Sequence, residues 1–187
     1  RKSFILTEEI EGAISLEELG QEWGKTPPKK KSELRYKRWL IRRVAEMART
    51  IHQSGANHRD FYLGHFLLQR NYDNDELSIK KSRLHVIDLH RMQIRRRTPM
   101  RWKVKDISGL HYSSLGLMSA GTLTQRDFYR FISTYRRSSL RETLKNDQLF
   151  WTRVASRAQS LQLAEQRRNL HGSPATAKTL PNARIQY

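Results

Sequence analysis

Residues 57–68 read Asn57-His58-Arg59-Asp60-Phe61-Tyr62-Leu63-Gly64-His65-Phe66-Leu67-Leu68, and residues 84–91 read Leu84-His85-Val86-Ile87-Asp88-Leu89-His90-Arg91. Each segment joins an apolar, β-prone run to a carboxylate: Asp60 precedes Phe66–Gln69, and Asp88 ends the run that begins at Leu84. Upstream, Leu40, Val44, Met47, Ala48 and Ile51 recur at helical spacing, which predicts a long helix capped by Ser32 and ended by Gly55. The order helix, Asp60 loop, strand, polar insert 70–83, strand, Asp88 is the frame on which the remaining reading hangs. Either carboxylate alone reads as an ordinary turn or strand-end residue; the ordered pair is the informative feature.

The surrounding elements are mainly helical with short β hairpins. Ser15 with Glu18, Thr124 with Asp127, and Ser139 with Glu142 have capping-box spacing. They predict a short helix over 15–23, a helix burying Phe128, Phe131, Ile132 and Tyr135, and a last long helix from Ser139 to about Arg168. Its apolar face would be Leu140, Leu144, Phe150, Val154, Ala158 and Leu161. Helical patterning after the Asp88 segment resumes near Val104. The divisions are 1–24, 25–168 and 169–187, the last reading as a disordered tail.

The chain has 187 residues, enough for one domain with a real core. It has no cysteine, so disulfides and thiolate sites are excluded, and no apolar run approaches the ~20 residues of a membrane span. The first residue is not Met, and Arg1–Glu8 reads as a strand running into acids, not as a signal peptide. Net charge is +18, unevenly spread: residues 1–24 carry two basic and six acidic side chains, leaving +22 on the other 163. Such a field draws polyanions, whether nucleic acid, an anionic membrane surface, phosphorylated glycolipid or acidic protein. The basic face of the long helix (Arg35, Lys37, Arg38, Arg42, Arg43, Arg49) reads equally as plain solvation. No zinc-finger spacing, aromatic RNP-like strand or GXXG loop accompanies the charge, so no specific nucleic acid is expected.

A His-Arg-Asp tripeptide between a long helix and a strand, followed by a strand ending in Asp, is similar to the catalytic and metal-binding loops of kinases. His65 stands where those enzymes place a metal-binding Asn, and Leu89-His90 replaces their Phe-Gly. The stretches SFILTEEI (3–10), ISLEEL (14–19), NHRDFYLGHFLL (57–68), VIDLHRMQIRRR (86–97), RWKVKDISGLHYSSL (101–115) and LTQRDFYRF (123–131) together resemble the WaaP (RfaP) family of lipopolysaccharide core heptose(I) kinases.

The resemblance implies the C-terminal lobe of a protein-kinase-like fold and phosphorylation of an inner-core heptose hydroxyl, using ATP and magnesium, at the cytoplasmic face of the inner membrane. A Kdo-type core sugar kinase and a non-catalytic basic binding module are the alternatives. It implies Asp60 as the catalytic carboxylate and Asp88 as metal ligand, with His65 either a second ligand or a hydrogen-bonding residue. Thr7, Glu8, Glu9 and Ile10 would be the hinge that meets adenine. Asp106 would brace the catalytic loop from the start of the helix after the basic run, or else be a surface cap. Arg91, Arg95, Arg96, Arg97 and Arg101 would face an anionic acceptor, the lipid A–core lipopolysaccharide. An anionic membrane surface and an acidic protein such as acyl carrier protein are further implied partners. The chain would begin at the last strand of the small β-rich lobe, and without that lobe's phosphate-covering loop and lysine it would be inactive alone.

Overall fold

The long helix organises the molecule. In the computed structural model, which describes residues 9–73 and 76–171, the chain opens with β1 (Ala13–Ser15) and α1 (Leu16–Lys25). The start of α1 is the predicted capping box: Ser15 Oγ accepts from the Glu18 amide at 3.1 Å, and the Glu18 carboxylate accepts from the Ser15 amide at 2.8 Å. Then α2 runs over Lys31–Gln53. Its cap position is Lys30 and not Ser32, because the Glu33 carboxylate accepts from the Lys29 and Lys30 amides at 2.8 and 3.0 Å.

Gly55 ends α2 with φ +84, and a Cβ there would lie 1.8 Å from the Arg95 carbonyl oxygen. No other residue fits both the backbone angle and that approach. The Arg95 amide donates back to the Gly55 carbonyl at 3.0 Å. This contact seats β2 (Ala56–Asn57) antiparallel to β7 (Gln93–Ile94).

Between them lie β3 (Phe66–Gln69), the short pair β4 (Tyr72–Asp73) and β5 (Glu76–Leu77) within the polar insert, and β6 (Arg83–Val86). β3 is central in an antiparallel sheet of order β1-β3-β6. Ala13–Ser15 had no strand signal of its own; it is a three-residue edge strand recruited by β3. The pairing Phe66↔Val86 and Leu68↔Leu84 points Phe66, Leu68 and Leu84 into the core.

The C-terminal half is helical: α3 (Met100–Ser119), α4 (Gln125–Arg136), α5 (Leu140–Asn146) and α6 (Gln148–His171). α3 starts four residues before Val104, behind Pro99, because its first turn is basic and carries no apolar period to read. The last long helix is two helices. A break at Asp147, whose side chain pairs with Arg136 at 3.1 Å, lets Phe150 and Trp151 turn onto Tyr135. Leu144 is exposed as a result, whereas Phe150, Val154 and Ala158 are buried as expected. Residues 169–171 continue α6 and are not tail; 172–187 lie outside the described residues.

A buried lysine and a partly buried histidine shape the helical layer. Lys37, which reads as part of a solvated face, is buried, pairs with Asp127 at 2.9 Å and donates to the Thr122 carbonyl at 2.5 Å. It ties α2 to the capping box of α4. His111 lies against Phe128, ring centres 4.6 Å apart, beside an apolar cavity of about 110 Å³ between α1, α2, α3 and α4. Burial pulls its pKa down to about 4.

The folded state therefore holds His111 neutral, while the unfolded chain protonates it below its ordinary value. Stability should fall as pH drops from about 6.5 to 4, by up to about 3 kcal/mol. Urea unfolding at pH 7 and pH 4.5 should show His111→Leu losing much less stability over that interval than wild type. Parallel losses in the two proteins would contradict this account of His111.

Candidate active site

The loop from His58 to His65 connects β2 to β3, and it is held from below by one carboxylate. Asp106 is fully buried in the second turn of α3, so it neither opens the helix nor caps it at the surface. Its Oδ2 accepts from the His58 amide at 2.7 Å, and its Oδ1 from the Arg59 amide at 2.9 Å. Arg59 has φ +78, a conformation that costs a non-glycine residue about 1–3 kcal/mol. Charge-assisted bonds from two consecutive amides offset that cost and fix the direction in which Asp60 leaves the loop.

Behind Asp106 stands a relay the sequence reading did not contain. His52 Nε2 lies 3.2 Å from Asp106 Oδ2, and His52 Nδ1 lies 2.7 Å from the Tyr135 hydroxyl. Burial pushes the Tyr135 phenol far above its ordinary range, so it stays protonated and donates to Nδ1. Nε2–H then donates to Asp106. The signal for His52 was present: Leu40, Val44, Ala48 and His52 follow one another at four-residue steps on the buried stripe of α2.

Two histidines join the loop to the Asp88 strand. His58 Nε2 donates to the Ile87 carbonyl at 2.8 Å. His65 Nδ1 donates to the Asp60 carbonyl at 2.6 Å, and its Nε2 points to Asp88 Oδ2 at 3.6 Å. The Ile87 amide donates to the His65 carbonyl at 3.0 Å, extending the β3–β6 ladder to the residue before Asp88. Asp88 is left-handed, with φ 60 and ψ 52, and half exposed. The His90 ring bonds its Oδ1 and holds the carboxyl below its usual range. Arg59 and Asp88 are two of the three described non-glycine residues with positive φ, so backbone strain concentrates beside the two carboxylates.

The Asp60 carboxylate is largely shielded and faces Arg91, whose Nη1 lies 3.0 Å from Oδ1 and 2.9 Å from Oδ2. Arg91 follows Asp88 in a single 3-10 turn, Leu89–Arg91, so the same turn carries one carboxylate and the cation that pairs with the other. Of the five arginines expected to face an anionic acceptor, Arg91 is thus exposed but already paired with a carboxylate. Arg95 is likewise engaged, donating to Asn57 Oδ1 at 2.6 Å and to Gln93 Oε1. Arg96, Arg97 and Arg101 are exposed. Of the expected adenine hinge, Glu9 is exposed and Ile10 partly buried, its carbonyl accepting from the Ala13 amide at 3.3 Å. Thr7 and Glu8 lie outside the described residues.

Among the described residues no three His, Asp or Glu side chains form a metal cluster. A hard divalent cation that keeps waters and phosphate oxygens as ligands needs only one or two carboxylates. Asp88, accessible and ionised, fits that need. His65 meets the Asp60 backbone carbonyl through Nδ1 and faces Asp88 with its second nitrogen, so the ring spans the loop and the end of the Asp88 strand.

The sequence profile of the lipopolysaccharide kinase (Kdo/WaaP) family matches residues 1–135. The chain is 42% identical over 170 residues to the lipopolysaccharide core heptose(I) kinase WaaP of Escherichia coli strain K12, covering 91% of this chain and 60% of that protein. It is 41% identical over 165 residues to WaaP of Pseudomonas aeruginosa strain PAO1, covering 88% and 58%. The chain thus spans about 60% of the length of these relatives. A solved structure of WaaP in complex with acyl carrier protein superposes with a TM-score of 0.69 at 40% identity, covering 83% of this chain and 60% of the other.

Replacing Tyr135 with Phe removes the hydroxyl and leaves the buried His52 Nδ1 without its partner. The cost should be about 1–3 kcal/mol in chemical denaturation. A change within a few tenths of a kcal/mol would show that the relay contributes nothing to the fold.

Proposed function

The chain belongs to the lipopolysaccharide kinase (Kdo/WaaP) family, and we propose that it carries the catalytic loops of an ATP-dependent kinase that phosphorylates a heptose hydroxyl of the lipopolysaccharide inner core. Residues 25–168 would be the C-terminal lobe of a kinase-like fold, with residues 1–24 leading into it from the last strand of the smaller lobe through the hinge. The observation that carries the reading is the junction of Asp60 and Asp88 through His65 on a loop braced by Asp106. The heptose acceptor is favoured because the relatives above are named heptose(I) kinases.

Phosphoryl transfer asks the protein mainly to position groups and place charge. Asp60, fixed by the loop, would orient the acceptor hydroxyl and take its proton late in the transfer. Arg91 holds that carboxylate aimed until the hydroxyl arrives. Asp88 would hold magnesium, which when bound neutralises phosphate charge. His65 would link the Asp60 loop to the Asp88 strand, and Thr7, Glu8, Glu9 and Ile10 would meet the adenine. The exposed Arg96, Arg97 and Arg101 would draw the phosphates and acidic sugars of the acceptor.

The net charge of +18 suits work beside an anionic membrane surface. No described helix is long and apolar enough to cross a membrane, and the charge is what supports a peripheral attachment. The same charge suits an acidic protein partner, and the structural relative bound to acyl carrier protein makes such a carrier the leading candidate.

In the full-length protein, Asp60→Asn and Asp88→Asn should each lower phosphate transfer from labelled ATP to heptose-bearing lipopolysaccharide by about 10³-fold or more. Circular dichroism and melting temperature should stay near wild type, since neither side chain packs in the core. Near-normal turnover by folded Asp60→Asn protein would overturn the assignment.

A further inference from the structure

Trp102, in the first turn of α3, is surrounded by cations. The charged groups of Arg59, Arg95, Arg101 and Lys105 lie 5.4, 5.5, 5.6 and 5.7 Å from its ring centre. They come from the catalytic loop, the residue after β7, and α3 itself, so the fold and not local sequence assembles them. An indole face attracts one cation readily. Four around one ring also repel each other, since no two can be more than about 11 Å apart.

No carboxylate among the described residues reaches this cluster as a direct partner, although Asp60 and Asp106 act on Lys105 from further off. None of the four cations has an ion-pair partner there. Asp60 is paired with Arg91, and both oxygens of Asp106 are occupied by His52 and the two loop amides. Residues 89–105 contain no Asp or Glu at all. Arg95 finds only the neutral amide oxygens of Asn57 and Gln93.

The neighbourhood also holds buried donors without acceptors: Arg59 Nε, Trp102 Nε1 and Asn57 Nδ2, the last on a fully buried side chain bonded to Arg95. Buried polar atoms in native proteins are nearly always satisfied. Burial holds the Lys105 ammonium below its usual range; Asp60 is the strongest charge opposing that shift, while Arg59 and Arg91 add to it and Asp106 opposes it weakly. Positive charge and unmet donors thus converge on the Asp60 side of the site. The groups acting on Asp88 are the histidines 90, 65 and 58.

We propose that the Trp102 cluster is an anion-binding subsite that takes a phosphate or carboxylate group of the acceptor and so presents the neighbouring hydroxyl to Asp60. That the anion belongs to the acceptor rests on the sugar-kinase reading; the existence of the subsite does not. Free inorganic phosphate is the other source of the same chemistry, and the measurements separate the two.

The direct measurement is inorganic phosphate binding to the full-length protein by thermal shift and calorimetry at constant ionic strength, with no transfer involved. Wild type should bind phosphate, and so should a control with Arg157→Gln and Arg167→Gln on the exposed face of α6. Arg101→Gln combined with Lys105→Met should weaken binding about tenfold or more. If that double variant does not fold, Lys105→Met alone should still weaken it severalfold. No binding by wild type, or equal binding by wild type and the folded variant, overturns the subsite.

The kinetic arm compares acceptor carrying its phosphates and acidic sugars with a stripped, neutral core. The double variant should raise KM for the charged acceptor about tenfold and leave KM for the neutral one in place. Loss of phosphate binding with unchanged KM for both acceptors would assign the site to free phosphate and overturn the acceptor role. Asp60→Asn protein should bind phosphate at least as tightly as wild type. If no acceptor is ever phosphorylated yet phosphate binding persists and responds to the double variant, the kinase reading falls while the subsite stands.

Discussion

Two hydrogen bonds from consecutive backbone amides to one buried carboxylate carry this structure. Asp106 reaches up from α3 to the amides of His58 and Arg59, and that contact alone explains how a charged, strained loop can sit at the meeting point of α2, β2 and β3. A buried carboxylate without partners would be expensive. Here three donors meet it, the third being His52, itself fixed by Tyr135. The brace therefore extends through α2 to α4. The loop inherits the rigidity of the helical layer.

Given a fixed loop, the β3–β6 register does the rest. It places Ile87 opposite His65, so the strand that ends in Asp88 must arrive beside the loop that carries Asp60. Arg91, three residues later, closes the circuit onto Asp60. What remains after this pairing is a surplus of positive charge gathered around Trp102 on one side of the centre. The histidines occupy the other side. The two carboxylates thus have different neighbours, arginines and a lysine beside Asp60 and histidines beside Asp88.

Much of this was legible in the residues. Ser15 with Glu18, Thr124 with Asp127 and Ser139 with Glu142 marked three helix starts, because a capping box is a local, stoichiometric device. Phe66–Gln69 read as a strand from its apolar run. The features that escaped are those decided by distant partners. Lys37 looked solvated until Asp127 and Thr122 surrounded it. Arg91 and Arg95 looked free because nothing in a linear basic run reveals that Asp60 and Asn57 lie within reach. The break at Asp147 left one trace in the residues: the expected apolar face steps by four from Leu140 to Leu144 and from Phe150 to Val154, but by six between Leu144 and Phe150. Only the packing of Phe150 and Trp151 on Tyr135 shows that the axis turns.

The dependence of the site on Asp106 is most directly tested by amide hydrogen exchange at His58 and Arg59, resolved by NMR. In wild-type protein both amides should be protected to nearly the level of core amides in α2 and α3, although they lie in a loop. In Asp106→Asn, which loses one charged acceptor oxygen, their protection should collapse while that of Val44 and Ala48 persists. Exchange of His58 and Arg59 in the wild type as fast as at exposed loop positions would contradict the account.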